Sequence, residues 1–217
     1  TLRRQRQMCI RDSAHSACTG KSREFSAVSV PLTDGGEGFS TILTSGADGE
    51  HRKFEARDSL GRQKTVHFGL CRAERLPPKA GEFLSLNGSE KIAILEMASV
   101  VGLADLKQEE RNPWNTTTLG VGELMREVAG LGVDLILLGI GGSSTNDAGL
   151  GALSSLGLRF LDQDGRRIEV PCPSSWNQVS RIETDDLMAL PPVVIACDVK
   201  NRLLGPEGAT HQFGPQK

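Results

Sequence analysis

The 217-residue sequence contains no tyrosine, and aromatic residues make up only 4% of it. Aromatic side chains form the stacking platforms of single-strand-binding proteins and the anchors of Tyr-rich recognition surfaces, so the composition disfavours both classes. The charge is nearly balanced, with 25 Lys and Arg against 27 Asp and Glu. The resulting formal charge of -2 provides no general cationic field for nucleic acid or for an anionic membrane.

Long apolar runs and paired cysteines are also missing. The longest apolar stretch, residues 135–140, is far shorter than the roughly 18 apolar residues that a membrane span requires. The five cysteines are odd in number and widely spaced, and none belongs to a C-x-x-C pair, so neither a disulfide framework nor a zinc site is indicated. These features favour a soluble protein in a reducing, cytoplasmic compartment.

The first 25 residues differ from the rest of the chain. They are basic and rich in Ser and Arg, without apolar periodicity and without the apolar stretch of a secretory signal. An Arg-rich transit peptide is one interpretation, and a disordered or non-native leader is the simpler one. We therefore expect a leader over residues 1–25, the remnant of a first α/β domain over 26–45, and a second α/β domain over 46–217 that ends with the start of a return to the first.

From residue 27 onward, apolar strands alternate with glycine-rich or acidic turns and with amphipathic helices. This order predicts an α/β fold made of strand-loop-helix units around a largely parallel sheet. Strands are predicted over residues 27–32, 91–97, 135–140 and 193–197, the last three as buried strands. Residues 54–68 alternate on either side of a turn, as an antiparallel hairpin does.

Helices are predicted where apolar residues recur at helical spacing. The sets are Phe39, Ile42 and Leu43; Val121, Leu124, Met125 and Val128; and Leu150, Leu153 and Leu156. The three threonines at 116–118 are interpreted as caps of the second of these helices, which Gly130 or Gly132 ends. Residues 171–178 are interpreted as a loop.

Polar side chains follow the predicted strands at their carboxyl ends, where open α/β sheets bind ligands. They are Asp34, Glu37, Glu96, Asn146, Asp147 and Asp198. Two glycine-rich turns, at residues 34–38 and 139–147, accompany them, and the backbone N–H groups and helix N-termini of such turns attract phosphate or carboxylate. Neither turn is a Walker loop, and each aspartate alone is equally typical of a helix cap or a turn. An anion site is indicated only because the acidic residues and the two glycine-rich turns are expected to converge on one edge of the sheet.

Seven motifs then occur in order along the chain. They are Asp34-Gly35-Gly36-Glu37-Gly38; Leu60-Gly61-Arg62; Glu96-Met97-Ala98; Arg111-Asn112-Pro113 with Thr116-Thr117-Thr118; Gly139-Ile140-Gly141-Gly142-Ser143-Ser144-Thr145-Asn146-Asp147; Cys197-Asp198-Val199; and Phe213-Gly214-Pro215-Gln216-Lys217. Together they resemble the bacterial-type (type I) glycerate kinase family, whose members phosphorylate D-glycerate with ATP. The resemblance covers residue 27 to the end.

This resemblance implies a glycerate-kinase-like enzyme with two α/β domains, in which ATP and glycerate meet in the cleft between them. Two parts of the family pattern are missing. The opening strand with its Asp-Ser-Phe-Lys-Gly turn is not found before residue 27, and family members continue beyond the motif that ends at Lys217. The chain therefore resembles a fragment, which we expect to be a weak kinase by itself.

The resemblance and the strand-end chemistry together predict roles for individual residues. Asp198 is predicted to be the base that accepts the glycerate hydroxyl proton, with Asp147 and Asn146 as further catalytic residues. Asp34 and Glu37, with Asp147 as an alternative, are predicted to hold Mg²⁺. Substrate or phosphate binding is predicted for Asp34, Gly35, Gly36, Glu37, Arg111, Gly141, Gly142, Ser143, Ser144, Thr145 and Lys217.

The function expected from these residues is ATP- and Mg²⁺-dependent phosphorylation of D-glycerate, to 2-phosphoglycerate rather than 3-phosphoglycerate. Neither nucleic acid nor a membrane is expected as a partner. The alternative is a non-catalytic module that binds a sugar acid or a nucleotide, and ADP formation that depends on D-glycerate distinguishes the two. An NAD-dependent dehydrogenase is disfavoured, because the acidic residues about 20 positions after the second glycine turn, Asp162 and Asp164, are typical of a turn.

Overall fold

A mixed sheet of five strands organises the part of the chain that the computed structural model describes, residues 31–217. The leader and nearly all of the strand predicted over 27–32 lie outside the described residues. In chain order the strands are β1 (Glu50–Arg57), β2 (Gln63–Arg72), β3 (Lys91–Glu96), β4 (Leu135–Gly139), β5 (Arg159–Leu161), β6 (Arg181–Glu183) and β7 (Val193–Ala196). The sheet has the order β1-β2-β3-β4-β7, and β5 and β6 form a separate antiparallel pair.

The pairing of the strands decides where their ends lie. Strands β1 and β2 form the predicted antiparallel hairpin, and β2 also pairs antiparallel with β3. Strands β3, β4 and β7 run parallel, with Glu96 beside Gly139 and Gly139 beside Ala196. The three carboxyl ends therefore meet at one edge of the sheet, and the α/β class is confirmed.

Six α-helices connect and cover the strands within the described residues. They are α1 (Phe39–Gly46), α2 (Pro78–Phe83), α3 (Met97–Val101), α4 (Leu119–Gly130), α5 (Leu150–Ser155) and α6 (Ala209–Phe213). Short 3₁₀ helices occur at Ala73–Arg75, Leu103–Asp105, Gln108–Glu110, Pro173–Gln178 and Gly214–Gln216. Among residues 31–217, no helix combines the length and the apolar character needed to cross a membrane.

Apolar residues cover both faces of the central strands. On β3, Ala93 and Leu95 pack in the cluster that contains the apolar side of α4, whereas Ile92 and Ile94 pack on the opposite face with Phe39 of α1. All four β3 residues are at most 1% exposed. This two-sided burial is the reason that the strand has a continuous apolar run rather than an alternating one, as predicted.

Three local predictions are wrong, one of them only in part. Strand β7 is not buried: Ile195 is 57% exposed, because β7 has only β4 as a neighbour within the described residues. The predicted apolar face of α5 packs only in part: Leu156 is 4% exposed and belongs to the core cluster, whereas Leu153 is 36% exposed. Leu153 points to solvent while small residues are buried, and a Cβ on Gly122 of α4 would lie 2.2 Å from the Ala152 carbonyl oxygen of α5. Residues 171–178 are largely the 3₁₀ helix Pro173–Gln178 rather than an irregular loop.

Candidate active site

Two glycine-rich turns lie in direct backbone contact at the carboxyl edge of the parallel strands. The first turn is residues 34–38, before α1, and the second is residues 139–147, between β4 and α5. The N–H of Gly141 donates to the carbonyl of Gly35 over 2.9 Å. A Cβ on Gly141 would lie only 2.8 Å from the Cα of Gly36. The close approach requires that position 141 have no side chain, whereas a Cβ on Gly36 would lie 3.8 Å from Gly141, which is ordinary contact.

The end of β7 contributes the third wall of this edge. A Cβ on Gly35 would lie 2.9 Å from the carbonyl oxygen of Ala196, and the N–H of Ile140 donates to that same oxygen over 3.3 Å. Asp198 follows two residues later and is exposed. The predicted base is therefore next to the point where both glycine turns meet β7.

Glu96, the last residue of β3, fixes the first turn to the sheet. Its two carboxylate oxygens accept hydrogen bonds from the N–H groups of Gly38 and Ser40, each over 2.9 Å. The Ser40 hydroxyl donates to the Ile94 carbonyl on the same strand. Glu96 is 4% exposed, and this burial raises the pKa of its carboxyl group, while the two N–H donors oppose the shift and nearby Glu37 adds to it.

This contact corrects the expectation that the N-terminus of α1 attracts a ligand anion. The helix N-terminus does bind a carboxylate, but the carboxylate belongs to Glu96 of the protein itself. The sequence placed Glu96 among the strand-end acids and gave it no role. The sequence does contain a signal for this contact. A buried strand ends in a carboxylate, and a glycine-rich turn precedes a helix elsewhere in the chain.

Asp147 is likewise committed to contacts within the protein. It is 1% exposed. Its Oδ2 accepts from the Thr118 N–H and hydroxyl, both at 2.8 Å, and from the Gly151 N–H at 3.1 Å, while Oδ1 accepts from the Gly149 N–H at 3.2 Å. Four donors on one buried carboxylate join the start of α4 to the start of α5. The contacts give Asp147 a positioning role and leave it unsuited to hold Mg²⁺.

The same contacts correct the prediction that three threonines cap α4. Thr118 occupies the N-cap position, but its side chain makes no capping hydrogen bond. Its hydroxyl donates to Asp147 and accepts from the N–H of Ala152 over 2.9 Å. Only the Thr117 hydroxyl accepts from the first turn of α4, from the Leu119 N–H over 3.3 Å. The Thr116 hydroxyl donates to the Ser144 carbonyl and so supports the second glycine turn.

The exposed tip of the second turn is the part that remains available to an anion. Gly142 has a left-handed φ of 70° and is exposed. The N–H groups of Gly142 and Ser143 have no acceptor within residues 31–217. Ser144 differs, because its N–H and hydroxyl both donate to the Val101 carbonyl. Of the predicted phosphate cradle, residues 141–145, the N–H groups of Gly141 and Ser144 are therefore used within the protein, whereas those of Gly142, Ser143 and the buried Thr145 have no acceptor within residues 31–217.

Lys217 supplies a cation to this tip. Its ammonium donates to the Thr145 carbonyl over 2.7 Å and to the Ser143 hydroxyl over 3.1 Å. Burial lowers the pKa of the ammonium, and the negative charge of Asp147 opposes that shift. The sequence predicted Lys217 to bind substrate or phosphate without assigning it to a turn, and the structure gives it two polar contacts with the second turn.

Two other predicted residues make no hydrogen bond or ion pair with the tip of the second turn within residues 31–217: Asn146, near the end of that turn, and Arg111. The Asn146 side chain accepts a long hydrogen bond, 3.5 Å, from the hydroxyl of Thr210 on α6. Arg111 is exposed after the 3₁₀ helix Gln108–Glu110, and within residues 31–217 no ion pair or hydrogen bond joins its side chain to either glycine turn. Arg111 is not brought to the tip of the second turn by any such contact.

Asp34 and Glu37 are the residues of this edge that fit a magnesium ion. Both are exposed on the first turn, and within residues 31–217 the one hydrogen bond of the Asp34 side chain is that of Oδ1, which accepts from the Gly36 N–H over 3.1 Å. No cluster of three or more His, Cys, Asp or Glu suited to a metal occurs in the described part of the chain. Mg²⁺ in phosphoryl-transfer sites typically takes one or two carboxylates together with water and phosphate oxygens, so two carboxylates on one turn suffice.

Comparison with known proteins identifies relatives of this chain. Residues 9–217 match the model of the glycerate kinase family. The chain is 37% identical over 196 residues to a glycerate kinase of Haemophilus influenzae, covering 88% of this chain and 47% of the relative. It is 33% identical to the glycerate 2-kinase of Escherichia coli, covering 88% and 46%.

A solved structure agrees with these matches. A crystal structure assigned to a glycerate kinase 2 from Salmonella typhimurium LT2 aligns with a TM-score of 0.69 at 33% identity, covering 86% of this chain and 46% of that chain. The chain spans about half the length of the curated relatives it matches. Since the family model matches nearly all of its residues, the chain belongs to the glycerate kinase family.

Proposed function

We propose that this chain forms part of an ATP-dependent D-glycerate kinase and that the reaction takes place at the edge where the two glycine turns meet. The observation that supports this most strongly is the backbone contact between the turns, which brings an exposed N–H pair, a lysine and three carboxylates to one edge of the sheet. Family membership supports the substrate. The relative named glycerate 2-kinase supports 2-phosphoglycerate as the product.

Each group at this edge suits one requirement of phosphoryl transfer, which depends mainly on positioning and on neutralising phosphate charge. The N–H groups of Gly142 and Ser143 donate to phosphate oxygens, and the Lys217 ammonium lies beside them as a positive charge. When bound between Asp34, Glu37 and the phosphates, Mg²⁺ would supply further positive charge.

Asp198 has the chemistry of the base in this proposal. Its carboxylate is exposed at the end of β7, next to both turns, and accepts the proton of the glycerate hydroxyl that attacks the phosphate. Glu96 and Asp147 touch no substrate here. They hold the first and second turns in place, so they are positioning residues.

Identification of the reaction product tests this proposal. The full-length protein that contains this chain is purified and incubated with ATP, Mg²⁺ and D-glycerate, and the phosphorylated product is identified by ³¹P and ¹H NMR against authentic 2- and 3-phosphoglycerate. We expect ADP to form only when D-glycerate is present, with the phosphate on the 2-hydroxyl. A reaction without ATP or without D-glycerate serves as the control.

The other outcomes separate the parts of the proposal. Formation of 3-phosphoglycerate would retain the kinase and overturn the regiochemistry. Binding of ATP or glycerate with no ADP formed would overturn the kinase in favour of a non-catalytic binding module.

A further inference from the structure

A surface depression lies between the outer side of α4, the end of α5 and the β5 region. It consists of two cavities of about 390 and 260 Å³ that share the residues Arg126, Ser154, Ser155 and Arg167. None of the residues lining either cavity belongs to the glycine turns. The depression is therefore separate from the site described above.

Guanidinium groups outnumber carboxylates in the larger cavity. Arg126, Arg159 and Arg167 line it together with one acid, Asp186. Within residues 31–217, Arg126 has no ion pair. Arg167 lies 3.6 Å from Glu169, a long ion pair that leaves most of its donors unused. The smaller cavity adds Arg57, Glu123 and Glu169, so the two cavities together have four arginines against three acids, and the spare N–H donors are those of Arg126 and Arg167.

Two buried donors in this region have no partner within residues 31–217. Ser154 is 2% exposed, and its hydroxyl makes no hydrogen bond. The Nε of Arg159 is likewise buried without an acceptor, although the guanidinium reaches Glu183 and Asp186 at 3.3 Å. The adjacent Ser155, by contrast, donates to the Leu119 carbonyl over 2.7 Å. Buried donors are nearly always satisfied in folded proteins, and Ser154 lines both cavities, so an oxygen of a bound ligand would supply the acceptor that its hydroxyl lacks.

We propose that this cavity, defined by Arg126, Arg159, Arg167 and Ser154, binds a phosphoryl group, as inorganic phosphate or as the phosphate of a small metabolite. Planar guanidinium forks match the oxygens of a phosphate in two-pronged fashion, and a hydroxyl adds a donor from a further direction. The volume exceeds that of a phosphate ion alone, so a phosphomonoester also fits. The proposal does not depend on the kinase assignment, because it uses none of the residues of the glycine turns.

Titration calorimetry with inorganic phosphate tests the proposal at constant ionic strength maintained with chloride. Arg126→Gln and Arg167→Gln should each weaken phosphate binding by about tenfold or more, since each removes charge-assisted hydrogen bonds. The matched control is Arg166→Gln. Arg166 is adjacent in sequence and has the same charge, but it is 77% exposed in its side chain, is paired with Asp164 and does not line the cavity. Its substitution should change the affinity by less than about twofold.

Ser154→Ala supplies a readout that a purely structural serine would not give. Because the hydroxyl has no partner in the described part of the chain, its removal should leave the thermal midpoint without phosphate unchanged or slightly higher. The rise in thermal midpoint that phosphate produces should become smaller. A variant that unfolds at a clearly lower temperature without phosphate would show that the hydroxyl has a protein partner, which contradicts the proposal.

Two further experiments identify the ligand and exclude binding at the glycine turns. Gly141→Ala disturbs the glycine turns and should leave phosphate binding to the arginine cavity intact. Glycerol 3-phosphate as a second probe distinguishes a site that accepts phosphomonoesters from one that accepts only the free ion, and binding of either probe that depends on Arg126 and Arg167 supports the proposal. Absence of binding by both probes, or equal loss in Arg166→Gln, overturns it.

Discussion

Substitution of Gly141 by alanine perturbs the contact on which the candidate active site is built. The added Cβ would lie 2.8 Å from the Cα of Gly36 and 2.9 Å from its nitrogen, whereas ordinary contact begins at 3.4 Å. The obstructing atoms are backbone, so the two turns must separate by about 0.6 Å. That movement also stretches the hydrogen bond from the Gly141 N–H to the Gly35 carbonyl.

The expected effect is larger on catalysis than on stability. Forcing one extra methyl group into a packed position costs about 1–3 kcal/mol, which for a domain of this size lowers Tm by roughly 2–4 °C per kcal/mol. Displacement of reacting groups by about 1 Å costs on the order of 10² in rate, so a shift of about half that size should lower kcat at least about tenfold. Both are measured on one preparation, by thermal unfolding and by ATP consumption that depends on D-glycerate.

Gly130→Ala is the matched control. Gly130 is the last residue of α4, and a Cβ there meets nothing within 4 Å. This substitution should leave kcat unchanged and stabilise the protein by up to about 1 kcal/mol, because alanine restricts the unfolded chain. If Gly141→Ala retained the activity and Tm of Gly130→Ala, the contact between the turns would not position the reaction.

Three further predictions concern the residues that hold the turns. Asp147→Asn should lower the free energy of unfolding by about 3 kcal/mol in urea denaturation, because an amide group would face donors such as those of Thr118; a loss below about 1 kcal/mol would contradict the buried four-donor contact. Lys217→Met should weaken ATP binding about tenfold in titration calorimetry without lowering Tm, since burial of the ammonium opposes its charge; unchanged affinity would remove Lys217 from the site. Burial raises the pKa of Glu96, so at a pH between the unfolded and the folded pKa the folded protein keeps the carboxyl proton that the unfolded chain has released. The stability that Glu96 contributes therefore falls as the pH rises from about 4.5 through the raised pKa. The difference in unfolding free energy between wild type and Glu96→Gln should therefore shrink over that range, and a difference that grows with pH would refute this sign.

The elements with a clear local pattern were predictable from the sequence. The apolar spacing from Val121 to Val128 predicts α4, and a left-handed Gly132 follows its end. The alternation around residues 58–62 predicts the β1–β2 hairpin, and the continuous apolar run of β3 predicts burial on both faces. In each case the determining interactions lie within one element or between neighbours in sequence.

The contacts that build the site were not predictable in the same way. Glu96 reaches the N–H of Gly38 across 58 residues, and Asp147 reaches Thr118 across 29, so no local pattern identifies either partner. The same limit explains the error at α5, where Leu153 is exposed because the helix packs through small residues against Gly122. The sequence did indicate that carboxylates and glycines converge on one sheet edge. Which of them face a ligand and which hold the frame depends on tertiary contacts.

The transfer of the glycerate proton to Asp198 is the central step of the proposed reaction, and one comparison tests it most directly. ADP formation that depends on D-glycerate is measured for wild type and for Asp198→Asn in the same coupled assay, with ATP affinity determined on the same samples. In the full-length protein, kcat should fall by roughly 10² to 10⁴ while ATP binding changes little, as expected for loss of a general base. An Asp198→Asn protein with the kcat of wild type would contradict this role of Asp198.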